Sequence, residues 1–189
     1  MRVPIGISQR HLHLSQEDAN TLFGSNYELT PIKDLSQPGQ YAAEETVTLK
    51  GPKGEIERVR ILGPYRKFTQ VEILASDVFK LGTPAPLRES GDIQGSGSIE
   101  IIGPKASIII PQGLIVAQRH IHMTVADAEN FGVKNGDIVK VSVNGERAVV
   151  FENVVIRVSD KFALDMHIDV DEGNAAGLAQ GAWGEVIIR

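Results

Sequence analysis

Most of this chain is written in short runs of alternating apolar and polar residues, separated by turn-forming residues. Alternation of that kind predicts half-buried β-strands. Val3 to Leu14 and Leu114 to Met123 read as strands that run into helices. Ser15-x-x-Asp18 and Thr124-x-x-Asp127 then supply hydroxyl caps with an acid three residues on, and Gly24 and Gly132 supply the stops of two short helices. Further strands are predicted at Glu45–Lys50, Glu55–Leu62, Gln70–Ala75, Ile99–Ile102 and Ser107–Ile110. The second half adds Ile138–Val143, Arg147–Phe151, Val154–Val158, Ala163–Asp169 and Glu185–Arg189. Gly51-Pro-Lys-Gly54 and Asn144-Gly145 separate neighbouring strands, the latter as a hairpin signal. With one or two short helices per half, the pattern predicts a mainly β fold. It takes the form of two similar barrels, not a βαβ repeat.

The two halves are related by an internal duplication. Ile7-Ser-Gln-Arg-His-Leu-His-Leu-Ser-Gln-Glu-Asp-Ala19 resembles Val116-Ala-Gln-Arg-His-Ile-His-Met-Thr-Val-Ala-Asp-Ala128, every matched pair lying 109 residues apart. A weaker echo follows: Lys67-Phe-Thr-Gln-Val-Glu72-Ile73 resembles Lys161-Phe-Ala-Leu-Asp-Met-His167-Ile168, with one extra residue in the later copy. Each half therefore carries an early His-x-His and a late candidate partner, Glu72 in one and His167 in the other.

Composition narrows the chemistry. At 42% apolar and 23% charged residues, the 189-residue chain belongs with globular proteins and has room for one large domain or two small ones. A net charge of −5 argues against general affinity for nucleic acid or acidic membranes. There is no cysteine, which removes disulfides, thiolate ligands and a cysteine nucleophile together. The most apolar stretch, Ala106 to Ala117, is interrupted by Pro111-Gln-Gly113 and is too short to span a bilayer. The first residues run straight into the histidine motif without room for a signal peptide, so the expected location is cytoplasmic.

Without cysteine, any metal must sit on His, Asp or Glu. Residues two apart share one face of a strand, so His11 with His13, and His120 with His122, can each converge on one ion. His167 is the fifth and last histidine. Imidazole suits Zn2+, and three ligands with one open position is the usual catalytic arrangement. A lone His-x-His is ordinarily a surface or packing feature. Its duplication, with a third candidate ligand in each half, favours metal binding. Arg66 follows a turn six residues before Glu72. An isolated arginine is ordinarily solvated, whereas beside a metal it is an anion clamp. Lys33 and Arg60 carry no signal by themselves. No Gly-x-Ser-x-Gly elbow, Walker A loop or His-Glu-x-x-His helix is present. A metal-dependent hydrolase such as a thioesterase, a cupin-like metalloprotein and a non-catalytic metal-binding module all remain compatible with these residues. The cupin reading rests on His11-x-His13-x-x-x-Glu17, yet Glu17 falls in a predicted helix and no second cupin motif follows.

The ordered set of segments resembles the PduL-type phosphotransacylases, also called phosphate propanoyltransferases, over nearly the whole chain. It comprises Arg10-His-Leu-His-Leu14, Tyr27-Glu-Leu-Thr-Pro-Ile-Lys-Asp-Leu-Ser-Gln-Pro-Gly39, Ala43-Glu-Glu-Thr46, Gly63-Pro64 and Thr69-Gln-Val-Glu72. It continues through Arg88-Glu-Ser-Gly-Asp92, Arg119-His-Ile-His-Met123, Phe151-Glu-Asn-Val154, Met166-His-Ile-Asp169 and Asn174-Ala-Ala-Gly177. The resemblance implies reversible conversion of a short-chain acyl-CoA, propanoyl-CoA or acetyl-CoA, plus phosphate to acyl phosphate plus coenzyme A. It implies two Zn2+ per chain, one held by His11, His13 and Glu72, the other by His120, His122 and His167. Arg66 matches the phosphate-binding arginine, and Lys33, Arg60, Leu62 and Asn174 match coenzyme A positions. A mainly β fold of two similar closed β-barrels with short capping helices is implied, in domains of 1–9 plus 118–189 and of 10–117, as is a homodimer with Phe79 near its interface. Gln9 departs from the asparagine of many members. Microcompartment-resident members carry an amphipathic N-terminal extension, and this chain starts ten residues before His11. The expectation is therefore the cytoplasm, with microcompartment association left open.

Overall fold

The computed structural model describes residues 1–188. It is mainly β, with two closed six-stranded barrels and four short helices. By compactness the chain divides into two units. One contains Met1–Gln9, Ser36–Pro38 and the chain from Gln118 onward, and the other contains Arg10–Leu35 and Gly39–Ala117. Ser36–Pro38 departs from the expected 10–117 span because Gln37, 3% exposed, is clamped to Ala163. Its amide donates to the Ala163 carbonyl at 3.0 Å and accepts from the Ala163 N–H at 3.2 Å.

The barrel of the Arg10–Ala117 unit uses β2 (His11–His13), β4 (Tyr41–Lys50), β5 (Glu55–Gly63), β6 (Gln70–Ile73), β8 (Gly97–Ile102) and β9 (Ser107–Ala117). Its order is β4-β5-β2-β6-β9-β8, and β8 closes it by pairing with both β9 and β4. The short strands β3 (Pro31–Asp34) and β7 (Leu87–Arg88) extend its edges against β4 and β9. The other barrel uses β1 (Arg2–Ser8), β10 (His120–Met123), β11 (Ile138–Val143), β12 (Val149–Val158), β13 (Asp165–Asp169) and β14 (Ala182–Ile187). It closes in the order β1-β13-β10-β12-β11-β14. The two barrels have the same pattern of parallel and antiparallel pairs: β2 corresponds to β10, β5 to β12, β6 to β13 and β9 to β1. Each His-x-His strand is thus preceded in the chain by the strand that completes the other barrel.

Alternation explains why the strands form. In β2 and β10 the residues between and after the histidines (Leu12, Leu14, Ile121 and Met123) are fully buried in the two apolar cores. The histidines occupy the opposite face of the same strands. Helices α1 (Gln16–Phe23) and α3 (Val125–Phe131) start where expected. The Ser15 and Thr124 hydroxyls accept from the amides of Asp18 and Asp127. Gly24 and Gly132 end them, Gly132 at φ 69° in the left-handed region.

Several boundaries differ from the sequence expectation. Val3–Leu14 and Leu114–Met123 each break at the Gln-Arg before the histidines, where the chain passes from one barrel to the other. Ser107–Ile110 continues through Pro111 as one strand. The β8–β9 register steps from Ile99 opposite Ile110 to Gly97 opposite Leu114, so Pro111-Gln112-Gly113 bulges out of the ladder. Arg147–Phe151 and Val154–Val158 are likewise a single strand, β12, with Asn153 at φ 54°. The Gln70–Ala75 strand ends at Ile73, because Ala75 opens a helix, α2 (Ala75–Leu81), that alternation did not reveal. A corresponding helix, α4 (Val170–Ala176), follows β13. Asn144-Gly145 lies in a longer loop between β11 and β12, with Val143 opposite Val149. The expected final strand starts earlier, at Ala182, and its last residue, Arg189, lies outside the described residues. No helix among the described residues is long and apolar enough to cross a membrane.

Replacing Leu12 or Ile121 by alanine should cost about 2–5 kcal/mol each, since both side chains are fully enclosed. Urea unfolding of the single variants checks this.

Candidate metal centres and active site

The Arg10–Ala117 unit brings together His11, His13 and Glu72, and the other unit brings together His120, His122 and His167. Within each triad the potential ligand atoms all lie within 4.8 Å of one another. The reason is register. β6 runs antiparallel to β2 with Glu72 opposite His11, and β13 runs antiparallel to β10 with His167 opposite His120. Strand alternation adds His13 and His122 two residues along on the same face.

Hydrogen bonds orient several of these side chains. His13 Nδ1 donates to the Leu62 carbonyl at 3.1 Å, and His120 Nδ1 donates to the Gln118 carbonyl at 2.8 Å. Both bonds set the tautomer that leaves Nε2 as a lone-pair donor. Glu72 Oε1 accepts from Gln70 Nε2 and from Ser90 Oγ, each at 2.7 Å. Its other oxygen, Oε2, lies 3.4 Å from His11 Nε2. Burial pushes the Glu72 carboxyl up. His11 and His13, the Ser90 hydroxyl and Arg66 outweigh that and hold it well below the ordinary carboxylate value. His13 moves well below its ordinary value, first through burial, then through Arg66 and His11. A neutral imidazole and an ionised carboxylate are the forms that bind a cation. Nitrogen and carboxylate donors, three to a group with no thiolate and all buried except the half-buried His167, are a set that could hold a divalent ion such as Zn2+.

Arg66 joins this network. Its backbone N–H donates to the Leu14 carbonyl at 2.9 Å, just beyond the first His-x-His. Its Nη1 donates to Ser90 Oγ at 3.3 Å, one hydrogen bond away from Glu72. With Lys67, Phe68, Gln70, Gly91 and Ile93 it lines a cavity of about 180 Å³. Leu62 and Arg60 lie on the neighbouring strand β5, Arg60 opposite His11. The Leu62 carbonyl holds His13, and Arg60 Nη1 donates to the carbonyls of Ala43 and Glu44 at 3.0 and 2.7 Å. Lys33 is exposed on β3 in the same unit, whereas Asn174 is exposed on α4 in the other.

Sequence reasoning did not single out Gln70, Ser90, Asp165 or Ser36. The buried Asp165 carboxylate stands 3.1 Å from His167 Nε2, and Ser36 Oγ stands 3.5 Å from the same nitrogen. At Gly6, which pairs with His167, a Cβ would meet Asp165 Oδ2 at 3.1 Å. The corresponding position in the other barrel is Ile115, paired with Glu72. Asp165 occupies the place in its copy that Gln70 has in the first, two residues before the third candidate ligand. That spacing was the signal available to find it.

A family model described as phosphate propanoyltransferase matches residues 4–179. A protein of that name from Thermotoga maritima is 58% identical over 178 residues, covering 94% of this chain and 85% of the relative. Its namesake from Priestia megaterium is 58% identical over 182 residues, covering 96% and 84%. The one from Listeria monocytogenes is 51% identical over 185 residues, covering 98% and 87%.

The shifts at His13 and Glu72 act on stability in one direction, and the raised carboxyls of Asp169 and Glu172 act in the other. Folding keeps His13 neutral, so below about pH 6.5 the denatured chain binds a proton that the folded chain refuses. Below about pH 4.5 the same holds for Glu72. The urea midpoint of the metal-free chain should therefore begin to fall as pH drops through about 6.5, where His13 acts ahead of the carboxyls. His13→Gln should flatten the upper part of that fall.

Proposed function

We propose that this chain, which belongs to the phosphate propanoyltransferase family, converts a short-chain acyl-CoA and phosphate to acyl phosphate and coenzyme A, reversibly. Propanoyl-CoA and acetyl-CoA are the expected substrates. The observation that carries this reading is Arg66. It is a half-buried guanidinium tied through Ser90 to the carboxylate of a buried His-His-Glu triad, beside a cavity of about 180 Å³.

His11, His13 and Glu72 would hold one zinc, and His120, His122 and His167 a second. Bound zinc supplies Lewis acidity toward carbonyl and phosphoryl oxygen and stabilises a departing thiolate. Arg66 binds the attacking phosphate with paired donors and offsets its charge, so that one phosphate oxygen can approach the thioester carbonyl carbon. The new C–O bond forms as the C–S bond breaks, the electron pair leaving on the coenzyme A sulfur. The chain has no cysteine, and no activated serine motif supplies a nucleophile of its own, which favours direct attack over an acyl-enzyme. Ser90 and Gln70 keep the Glu72 carboxylate aimed while Arg66 is engaged. Lys33, Arg60, Leu62 and Asn174 are proposed coenzyme A contacts. For Arg60 and Leu62 the backbone interactions already described would add a structural share. The proposed assembly is a homodimer. Phe79 on α2, 83% exposed, is the side chain that such an interface would cover.

Arg66→Ala should lower kcat by about 10²–10³-fold, the usual loss when one charge-stabilising donor is removed, with metal content near that of the unsubstituted chain. Loss of metal or of folding would refute the clamp role. His120→Ala should remove one of two zinc ions and nearly all turnover, by metal quantitation and acyl-CoA assay. Consumption of acyl-CoA at the same rate without phosphate would identify a hydrolase instead.

A further inference from the structure

Each His-x-His strand is entered through an arginine, and both arginines make the same ion pair. Arg10 Nε lies 2.7 Å from Asp77 Oδ2, and Arg119 Nε lies 3.2 Å from Glu172 Oε1. The two acids occupy one structural position, the third residue of α2 and of α4. Those helices follow β6 and β13, the strands that carry Glu72 and His167. Each acid also accepts from the backbone amide just before its helix, Asp77 from Leu74 at 3.1 Å and Glu172 from Asp169 at 3.0 Å. The guanidinium therefore reaches from the start of one ligand-bearing strand to the end of the other. Burial pushes the Glu172 carboxyl up, and Arg119 acts against that shift.

The pair sits where the ladder is weakest. The β2–β6 ladder runs from His11–Glu72 through Leu12–Val71 to His13–Gln70, so the two facing ligands form its terminal pair on the Arg10 side. In the β10–β13 ladder His120–His167 is terminal in the same sense. The end of a short ladder opens more readily than its middle, and an opening of about 1 Å would spoil a three-ligand site. The acid differs between the copies, as does the third ligand, while the arginine and its contact remain. Helices α1 and α3 carry acids at the same third position, but the carboxylates of Asp18 and Asp127 take hydroxyl groups of Ser15, Thr69 and Thr124 instead.

We propose that Arg10 and Arg119 are positioning residues for metal binding. Each closes the open end of its own ladder and so sets the separation of the first histidine from the third ligand. This rests on the metal reading above, and it is local: each arginine serves only the triad of its own barrel.

The test uses the full chain stripped of metal and titrated with Zn2+ against a chromophoric chelator, the two binding steps being assigned with His11→Ala and His120→Ala. Arg119→Gln should weaken the His120-His122-His167 step by about 10–100-fold, the range for outer-shell partners of metal ligands, and leave the other step unchanged. Arg119→Lys should recover part of the loss. Asp77 is nearly enclosed, and a single substitution at Arg10 would strand its charge. The double variant Arg10→Gln, Asp77→Asn therefore serves the other copy, and should weaken only the His11-His13-Glu72 step. Equal weakening of both steps, or an unchanged own step alongside a lower urea midpoint, would overturn the proposal and leave a fold-stabilising role. An unsubstituted chain that takes up no Zn2+ would overturn the metal reading itself.

Discussion

Everything at the two triads depends on one antiparallel pairing, made twice. His11 faces Glu72 and His120 faces His167 across a two-strand ladder, so a residue late in each half lands beside one that comes early. A slip of one residue in either ladder would turn Glu72 or His167 to the opposite face of its strand, among the apolar side chains. The register is protected by what lies on that other face. Leu12 with Val71, and Ile121 with Met166, pair between the ligand positions and are fully buried. The apolar cores therefore align the polar sites. Core and site are two faces of the same strands.

The triads are alike in geometry and unlike in charge. Three neutral imidazoles leave a divalent ion with its full charge, whereas two imidazoles and a carboxylate leave it with one unit less. An ion in the all-histidine group would draw an anion more strongly, and one in the His-His-Glu group would be milder toward a thiolate. The surrounding groups sharpen the difference. Glu72 is braced by Ser90 and Gln70, with Arg66 one bond further out, whereas His167 has the buried Asp165 carboxylate beside it. A duplicated scaffold thus offers two non-equivalent environments built from the same strand pairing.

Much of this was legible in the order of residues, for identifiable reasons. Alternation revealed strands such as β5 and β11, because their cores are one-sided. The Ser15 and Thr124 caps revealed α1 and α3, because capping is local chemistry. The repeat drew attention to Glu72 and His167 as equivalent positions, and the structure sets each opposite the first histidine of its half. Helices α2 and α4 were missed, because each begins directly at the end of a strand and its apolar residues continue the strand's run. Pro111 suggested a break that is only a bulge, since a neighbouring strand can pair on either side of it. Asp165 was marked only by its spacing from His167, the same as that of Gln70 from Glu72. Ser90 was invisible, since a serine has no meaning near a distant carboxylate until the register is known. The exchange of strands between halves left no mark on periodicity, because β1 and β9 look equally at home in either barrel.

That exchange gives the chain an order of assembly. The barrel of residues 10–117 has all its strands once Ala117 has been made, and its longest-range partners are modest in separation. The other barrel needs β1 to pair with β13 and with β14, both of which follow the whole 10–117 barrel in the chain. β1 is therefore made before a barrel whose strands are all present well ahead of β13 and β14, and its own partners arrive only after that barrel is complete in sequence. Long-range closure of this kind is slow and leaves an unpaired strand open to association with other chains. Ribosomal output, not only equilibrium stability, thus bears on how cleanly this duplicated fold is made.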